Sequence, residues 1–258
     1  MTRFEGYAVL VTAAGRGIGA AVAHRLAQEG AQVLVTDIDE PAARKVAAEI
    51  REQGGTAREF ACDVGDRASV EGAVAHAVDA FGRLDVLVNN AYACHPDAAL
   101  FEEEDDEGWA RDLDLTLTGA YRCSRAALPH LVASGRGAIV TIGSVNGLQD
   151  FGNHAYSAAK AGLVSLTRTL AGHAGPRGVR VNLVAPGTVR TLAWSEQGRD
   201  PDALRELYPL GRVGEPEGIA AAVAFLASRD AAWVTGVVLP VDGGITAVNT
   251  AFKHAGTD

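Results

Sequence analysis

Short apolar runs alternate with Ala-rich stretches of helical period from one end of the chain to the other. The runs Ala8–Thr12, Gln32–Asp37, Ala57–Cys62, Val86–Asn89, Ala138–Ile142, Arg180–Val184 and Val237–Val241 read as continuous apolar segments rather than alternations. That is the pattern of strands covered on both faces of a parallel sheet. Helices are expected between them, over Gly17–Glu29, Pro41–Gln53, Arg67–Phe81, about Asp105–Ala133, Ala155–Ala174, Pro201–Tyr208 and Pro216–Ser228. Strands alternating with helices imply right-handed βαβ units, hence an α/β, doubly wound, seven-stranded parallel sheet with helices on both faces. No linker, repeat or low-complexity block divides residues 1–258, which are read as a single domain. The one acidic run, Glu102–Glu107, enters a helix and suits the positive end of its dipole.

Composition narrows the function classes. The net charge of −9 argues against nucleic acid as the main partner, which would call for a basic face. No apolar run reaches the ~18 residues of a membrane span. The first residues lack the charged, apolar and small-residue regions of a secretory leader, so a cytoplasmic protein without membrane attachment is expected. Cys62, Cys94 and Cys123 have no metal-ligand spacing and are read as free thiols.

Candidate chemistry sits at the expected strand ends. Thr12-Ala13-Ala14-Gly15-Arg16-Gly17-Ile18-Gly19 joins the first strand to the first helix. Such a turn turns backbone N–H groups and a helix dipole toward a pyrophosphate. Asp37 ends the second strand about 20 residues past Gly17, where a carboxylate bonds a ribose 2′-OH and repels a 2′-phosphate. Arg16 pulls the other way, since a guanidinium can accept that phosphate. NAD is therefore the expected cofactor, with NADP as the alternative. Asp63-Val64 and Asn90-Ala91 follow the third and fourth strands, where open α/β sheets bind ligands. Tyr156 and Lys160 lie four residues apart on a helix, about 5–6 Å between Cβ atoms. An ammonium beside the phenol should lower the tyrosine's pKa and suit it to proton transfer.

Taken in order, the Gly-rich turn, Asp37, Asp63-Val64, Asn89-Asn90-Ala91, Ser144, Tyr156-x-x-x-Lys160, Asn182 and Pro186-Gly187 with Thr191 resemble the short-chain dehydrogenase/reductase superfamily, in its 3-oxoacyl reductase and glucose dehydrogenase-like branch. The resemblance runs over nearly the whole chain. It implies a Rossmann fold and an NAD(P)-dependent oxidoreductase that interconverts a secondary alcohol and a ketone. It further implies Tyr156 as general acid/base, Lys160 on the nicotinamide ribose, Ser144 on the substrate oxygen, and Pro186, Gly187, Val189 and Thr191 beside the nicotinamide. An NADPH-dependent 3-oxoacyl or polyketide-type carbonyl reductase and a non-catalytic dinucleotide sensor are the alternatives.

Three positions depart from the family pattern. Ala13 replaces the usual first glycine and is expected at negative φ. Thr116 replaces an asparagine that helps hold a proton-relay water to the lysine. Tyr92 replaces a common glycine and either narrows the nicotinamide end or points outward. Residues of about 191–212 are expected to form a substrate loop, with Leu192, Trp194, Leu204 and Tyr208 as pocket walls. Tyr92, Cys94, His95, Phe151 and His154 are further candidates for the pocket. This mix suits a medium-sized, partly apolar alcohol or ketone. The family also implies a homo-oligomer, a dimer or tetramer.

Overall fold

The computed structural model describes residues 2–196 and 198–250. All strands join one parallel sheet in the order β3-β2-β1-β4-β5-β6-β7. They are β1 (Ala8–Val11), β2 (Gln32–Asp37), β3 (Thr56–Ala61), β4 (Val86–Asn89), β5 (Ala138–Ile142), β6 (Arg180–Pro186) and β7 (Val238–Val241). The order reverses between β1 and β4, which opens a crevice at their carboxyl ends. The helices are α1 (Gly17–Gln28), α2 (Glu40–Glu52), α3 (Arg67–Phe81), α4 (Asp106–Leu113), α5 (Gly119–Ser134), α6 (His154–Ala174), α7 (Leu192–Glu196) and α8 (Pro216–Ala227).

Successive side chains of the central strands enter opposite cores, as the period of two requires. Val9, Val11, Val33, Val35 and Val88 pack with Val22, Leu26 and Val223 from α1 and α8. Leu10, Leu34, Leu87 and Ile139 pack with Val70, Val74 and Leu131 from α3 and α5 on the other face. β3 departs from the expected apolar run. It carries Arg58 and Glu59 and is partly exposed, because it is an edge strand with a neighbour on one side. No helix among the described residues is long and apolar enough to cross a membrane.

The expected long helix over Asp105–Ala133 is broken. Asp114–Thr118 forms a π-helical turn between α4 and α5. The wider turn brings Thr116 fully inside, toward the loop that leaves β4. Pro201–Leu207, expected as an α-helix, is a 3₁₀ segment, and Gln197 of the expected substrate loop lies outside the described residues.

Candidate active site

The β1–α1 turn is built to receive a phosphate. α1 starts at Gly17 with no side chain capping its first N–H groups and no acid in its first turn. Those groups and the helix dipole remain available to an anion. A Cβ on Gly19 would collide with the Ala13 carbonyl and lie 2.6 Å from Asn90 Nδ2, so only glycine lets helix and strand approach this closely. Gly17 has φ +58° and lies beneath Thr191, whose Cγ2 is 3.5 Å from where its Cβ would be. Asn90 staples the end of β4 to this turn through Nδ2 donations to the carbonyls of Thr12 (3.1 Å) and Ala13 (2.9 Å). Its backbone N–H and that of Ala91 both donate to Thr12 Oγ1.

Ala13 lies at φ +48°, against the negative value expected from its side chain. The turn must reverse within a few residues to bring the Ala14 N–H to the Thr36 carbonyl at 2.8 Å, and Ala13 absorbs that reversal. Asp37 is held beside the turn. Its Oδ2 accepts from Gly15 N at 2.9 Å and its Oδ1 from Asp39 N at 3.0 Å. Arg16 reaches away from Asp37, pairing with Glu196 of α7 at 2.8 Å. Ile38, 72% exposed, adds an apolar surface next to Asp37 that the sequence pattern did not single out. Asp63 accepts from Gly65 N at 2.7 Å, and Val64 is buried against Gly119. These features fit a dinucleotide: an open helix terminus, a cradle that a Cβ would fill, and a carboxylate at the second strand end.

The catalytic candidates meet at the ends of β5 and α6. Ser144 lies beyond Ile142, the last residue of β5, and its hydroxyl is fixed by Asn146. It accepts from Asn146 N at 3.2 Å and donates to Asn146 Oδ1 at 3.0 Å. Asn146 in turn donates to Gly152 O and Ser157 Oγ, linking Ser144 to α6. Sequence reasoning missed this residue, whose one signal was its place two residues past Ser144. Burial dominates the Tyr156 phenol, and Ser144 beside it acts in the opposite direction, toward the ionised form.

Lys160 is fully buried, and its Nζ donates to the Ile142 carbonyl at 2.7 Å. Nζ lies 5.3 Å from the Tyr156 ring centroid and 5.5 Å from that of Tyr92. Burial pushes the Lys160 ammonium down to about 7 and pushes the Tyr156 phenol up. This corrects the expectation that the lysine brings the phenol toward neutral pH. Loss of water around each group is the leading cause of its shift.

The loop after β4 carries much of the pocket rim. Thr116 does not turn to Lys160; its hydroxyl is committed to the Ala93 backbone. His95 Nδ1 lies 2.5 Å from Oδ1 of the buried Asp112, whose Oδ2 accepts the His95 backbone N–H at 3.0 Å. His154 packs edge-on against Phe101 and lies 3.9 Å from both Asp97 and Glu104. Leu192 and Phe151 are exposed, and Trp194 lies beneath the Arg199 guanidinium. Tyr208 is buried under the β6 exit, its hydroxyl accepting from Thr188 N at 2.8 Å, so it supports the turn from Pro186 to Val189 rather than walling a pocket. A Cβ on Gly187 would lie 3.0 Å from that ring, and Val189 bridges to Gly214.

Comparison with known proteins finds relatives along nearly the whole chain. The chain matches the family described as enoyl-(acyl carrier protein) reductase over residues 12–246. It is 42% identical over 246 residues to 2,5-dichloro-2,5-cyclohexadiene-1,4-diol dehydrogenase LinX of Sphingobium indicum, covering 94% of this chain and 97% of that protein. It is 41% identical over 249 residues to meso-2,3-butanediol dehydrogenase of Serratia marcescens, covering 95% and 96%. The crystal structure of gox2181 superimposes with a TM-score of 0.90 at 34% identity, covering 96% of this chain and 98% of that one.

Proposed function

The chain belongs to the short-chain dehydrogenase/reductase superfamily, as an oxidoreductase of CH–OH groups with a nicotinamide dinucleotide, and we propose that it interconverts a secondary alcohol or diol and its ketone with Tyr156 as general acid/base. The observation that carries this is the convergence of Ser144, the Tyr156 phenol and the buried Lys160 on one strand end. Ser144 orients the substrate oxygen, and Tyr156 gives or takes its proton. Lys160, when charged, favours the phenolate. The bound cofactor supplies the hydride acceptor or donor.

Gly15, Arg16, Gly17, Ile18 and Gly19, with Ala13 setting the turn, would hold the pyrophosphate. Asp63 and Val64 would flank the adenine, and Asn90 and Ala91 the middle of the cleft. Tyr156 and Lys160 would hold the nicotinamide ribose, and Pro186, Gly187, Val189 and Thr191 the carboxamide side. NAD is the proposed cofactor. Asp37, held beside the turn by Gly15 N, would meet a 2′-OH, and Arg16 is engaged with Glu196. The exposed Tyr92 and Phe151 supply apolar surface for a medium-sized carbon skeleton. The two relatives named above act on a cyclic and an acyclic diol, which supports a substrate with a second hydroxyl.

The test is a panel of secondary alcohols and diols with NAD+ and NADP+, followed by nicotinamide absorbance. Tyr156→Phe should lose turnover by at least about 10²-fold with cofactor Kd nearly unchanged. Unchanged turnover in that variant rejects the mechanism. Tighter binding of NADP(H) than NAD(H) rejects the cofactor assignment.

A further inference from the structure

We infer that Tyr92 is a positioning residue for the catalytic pair: its ring and that of Tyr156 form an aromatic notch that holds the Lys160 ammonium in place. The inference rests on the reading of Tyr156 and Lys160 given above. The Tyr92 ring lies edge-to-face on the Tyr156 ring, with centroids 5.9 Å apart at 66°. Lys160 Nζ lies within the ~6 Å at which a ring face attracts a cation, 5.5 Å from Tyr92 and 5.3 Å from Tyr156. The Ile142 carbonyl closes the third side at 2.7 Å. A buried ammonium without a carboxylate partner needs such compensation, because water no longer surrounds it.

The backbone on either side of Tyr92 is fixed, so the ring is aimed rather than adrift. The Ala91 N–H donates to Thr12 Oγ1 at 3.2 Å, and the Ala93 N–H donates to Thr116 Oγ1 at 3.0 Å. Other ionisable groups act around the notch. Cys94, from the same loop, faces Lys160, and Asp112 from α4 acts on both Cys94 and Tyr156. Asp97 acts on Cys94, and Arg16 and Glu196 act on the Tyr92 hydroxyl. None of these is a carboxylate bonded to Lys160. The two rings therefore carry the stabilisation of its charge together with the carbonyl.

The chain has three lysines, Lys45, Lys160 and Lys253, so lysine side-chain NMR can follow each one. The experiment titrates the isotope-labelled full chain and its Tyr92→Phe and Tyr92→Leu variants, with Lys160→Met for assignment. The same variants are then assayed with NAD+ and 2,3-butanediol or cyclohexanol across pH. Tyr92→Phe keeps the ring and should retain the wild-type titration and pH profile. Tyr92→Leu keeps the bulk, loses the ring face, and should move the Lys160 titration down by about 0.5 pH unit. Its kcat should fall about tenfold with NAD+ Kd little changed, and the alkaline limb of the profile should move down with the lysine. A Lys160 titration identical in Tyr92→Leu and wild type overturns the inference, whatever the rate. A shifted Lys160 in a chain that never reduces NAD+ supports the notch and counts against the proposed activity instead.

Discussion

Thr116 holds Ala93 at both polar atoms of its backbone: its Oγ1 accepts from Ala93 N at 3.0 Å and donates to Ala93 O at 3.2 Å. The threonine is fully buried on the π-helical turn, so these two bonds anchor the loop that carries Tyr92 onto the helix behind it. Valine has the same shape without the hydroxyl. Thr116→Val should cost about 1–2 kcal/mol, the penalty of leaving a half-buried N–H and C=O without partners. Urea unfolding checks the stability. Cofactor and alcohol kinetics check the loop, with KM for the alcohol rising more than kcat falls. Unaltered stability would show that the loop finds other partners.

The sheet was legible because a strand buried on both faces must be apolar at nearly every position: β1 is throughout, and β4 and β5 are except at Asn89 and Thr141. The Gly-rich turn, Asp37, Asp63, Asn90 and Ser144 stood out as candidates for a related reason, since they sit at or just past strand ends where few residue types serve, and Tyr156 and Lys160 by their spacing on one helix. What escaped depends on contacts between distant segments. The pairing of Arg16 with Glu196 joins residues 180 apart in sequence, and the contact of Asp97 with the start of α6 joins residues 56 apart. The π-helical turn adds one residue over only Asp114–Thr118, and a phase shift in so short a stretch does not stand out from the surrounding periodicity. The sign of φ at Ala13 escaped because a side chain's own preference was weighed without the geometry of the reversal around it.

That conformation has a measurable cost. A non-glycine residue at φ +48° pays about 1–2 kcal/mol, and the next residues bind Thr36 and Asp37 too well to let the turn relax. Ala13→Gly should recover about 1 kcal/mol after glycine's greater freedom in the unfolded chain is deducted. The melting midpoint should rise by about 2–4 °C, with cofactor affinity preserved. A lower midpoint would mean that the methyl group contributes packing that outweighs the strain.

The helix that carries Tyr156 and Lys160 does not cap itself. Asn153, its N-cap residue, lies at φ +57° and makes no side-chain cap bond. Asp97 does this from the β4 loop, accepting from Asn153 N at 2.7 Å and His154 N at 2.8 Å. Asp97→Ala should cost about 1–2 kcal/mol, as loss of a charged cap does. Because Tyr156 lies in the first turn, kcat should fall by more than NAD+ affinity. Asp97→Asn, with one acceptor oxygen, should lie between the two. Full activity in Asp97→Ala would show that the helix start is held without it.

Lys160 makes stability depend on pH in a direction set by its burial. Its pKa falls from the ordinary 10.5 to about 7 in the folded chain, with burial as the leading cause. Between these values the unfolded chain binds the proton and the folded chain does not, so stability rises with pH across that window. Below about pH 7 both states are charged, and the folded chain carries the whole cost of a buried ammonium. Methionine fills a similar volume with no charge to bury. Lys160→Met should therefore be more stable than wild type at pH 6, while losing turnover. The gap should shrink by roughly 1.4 kcal/mol per pH unit as pH rises above 7. Urea midpoints for both proteins at pH 6, 8 and 9.5 measure it. A gap that stays constant over this range would show that Lys160 keeps its proton in the folded chain.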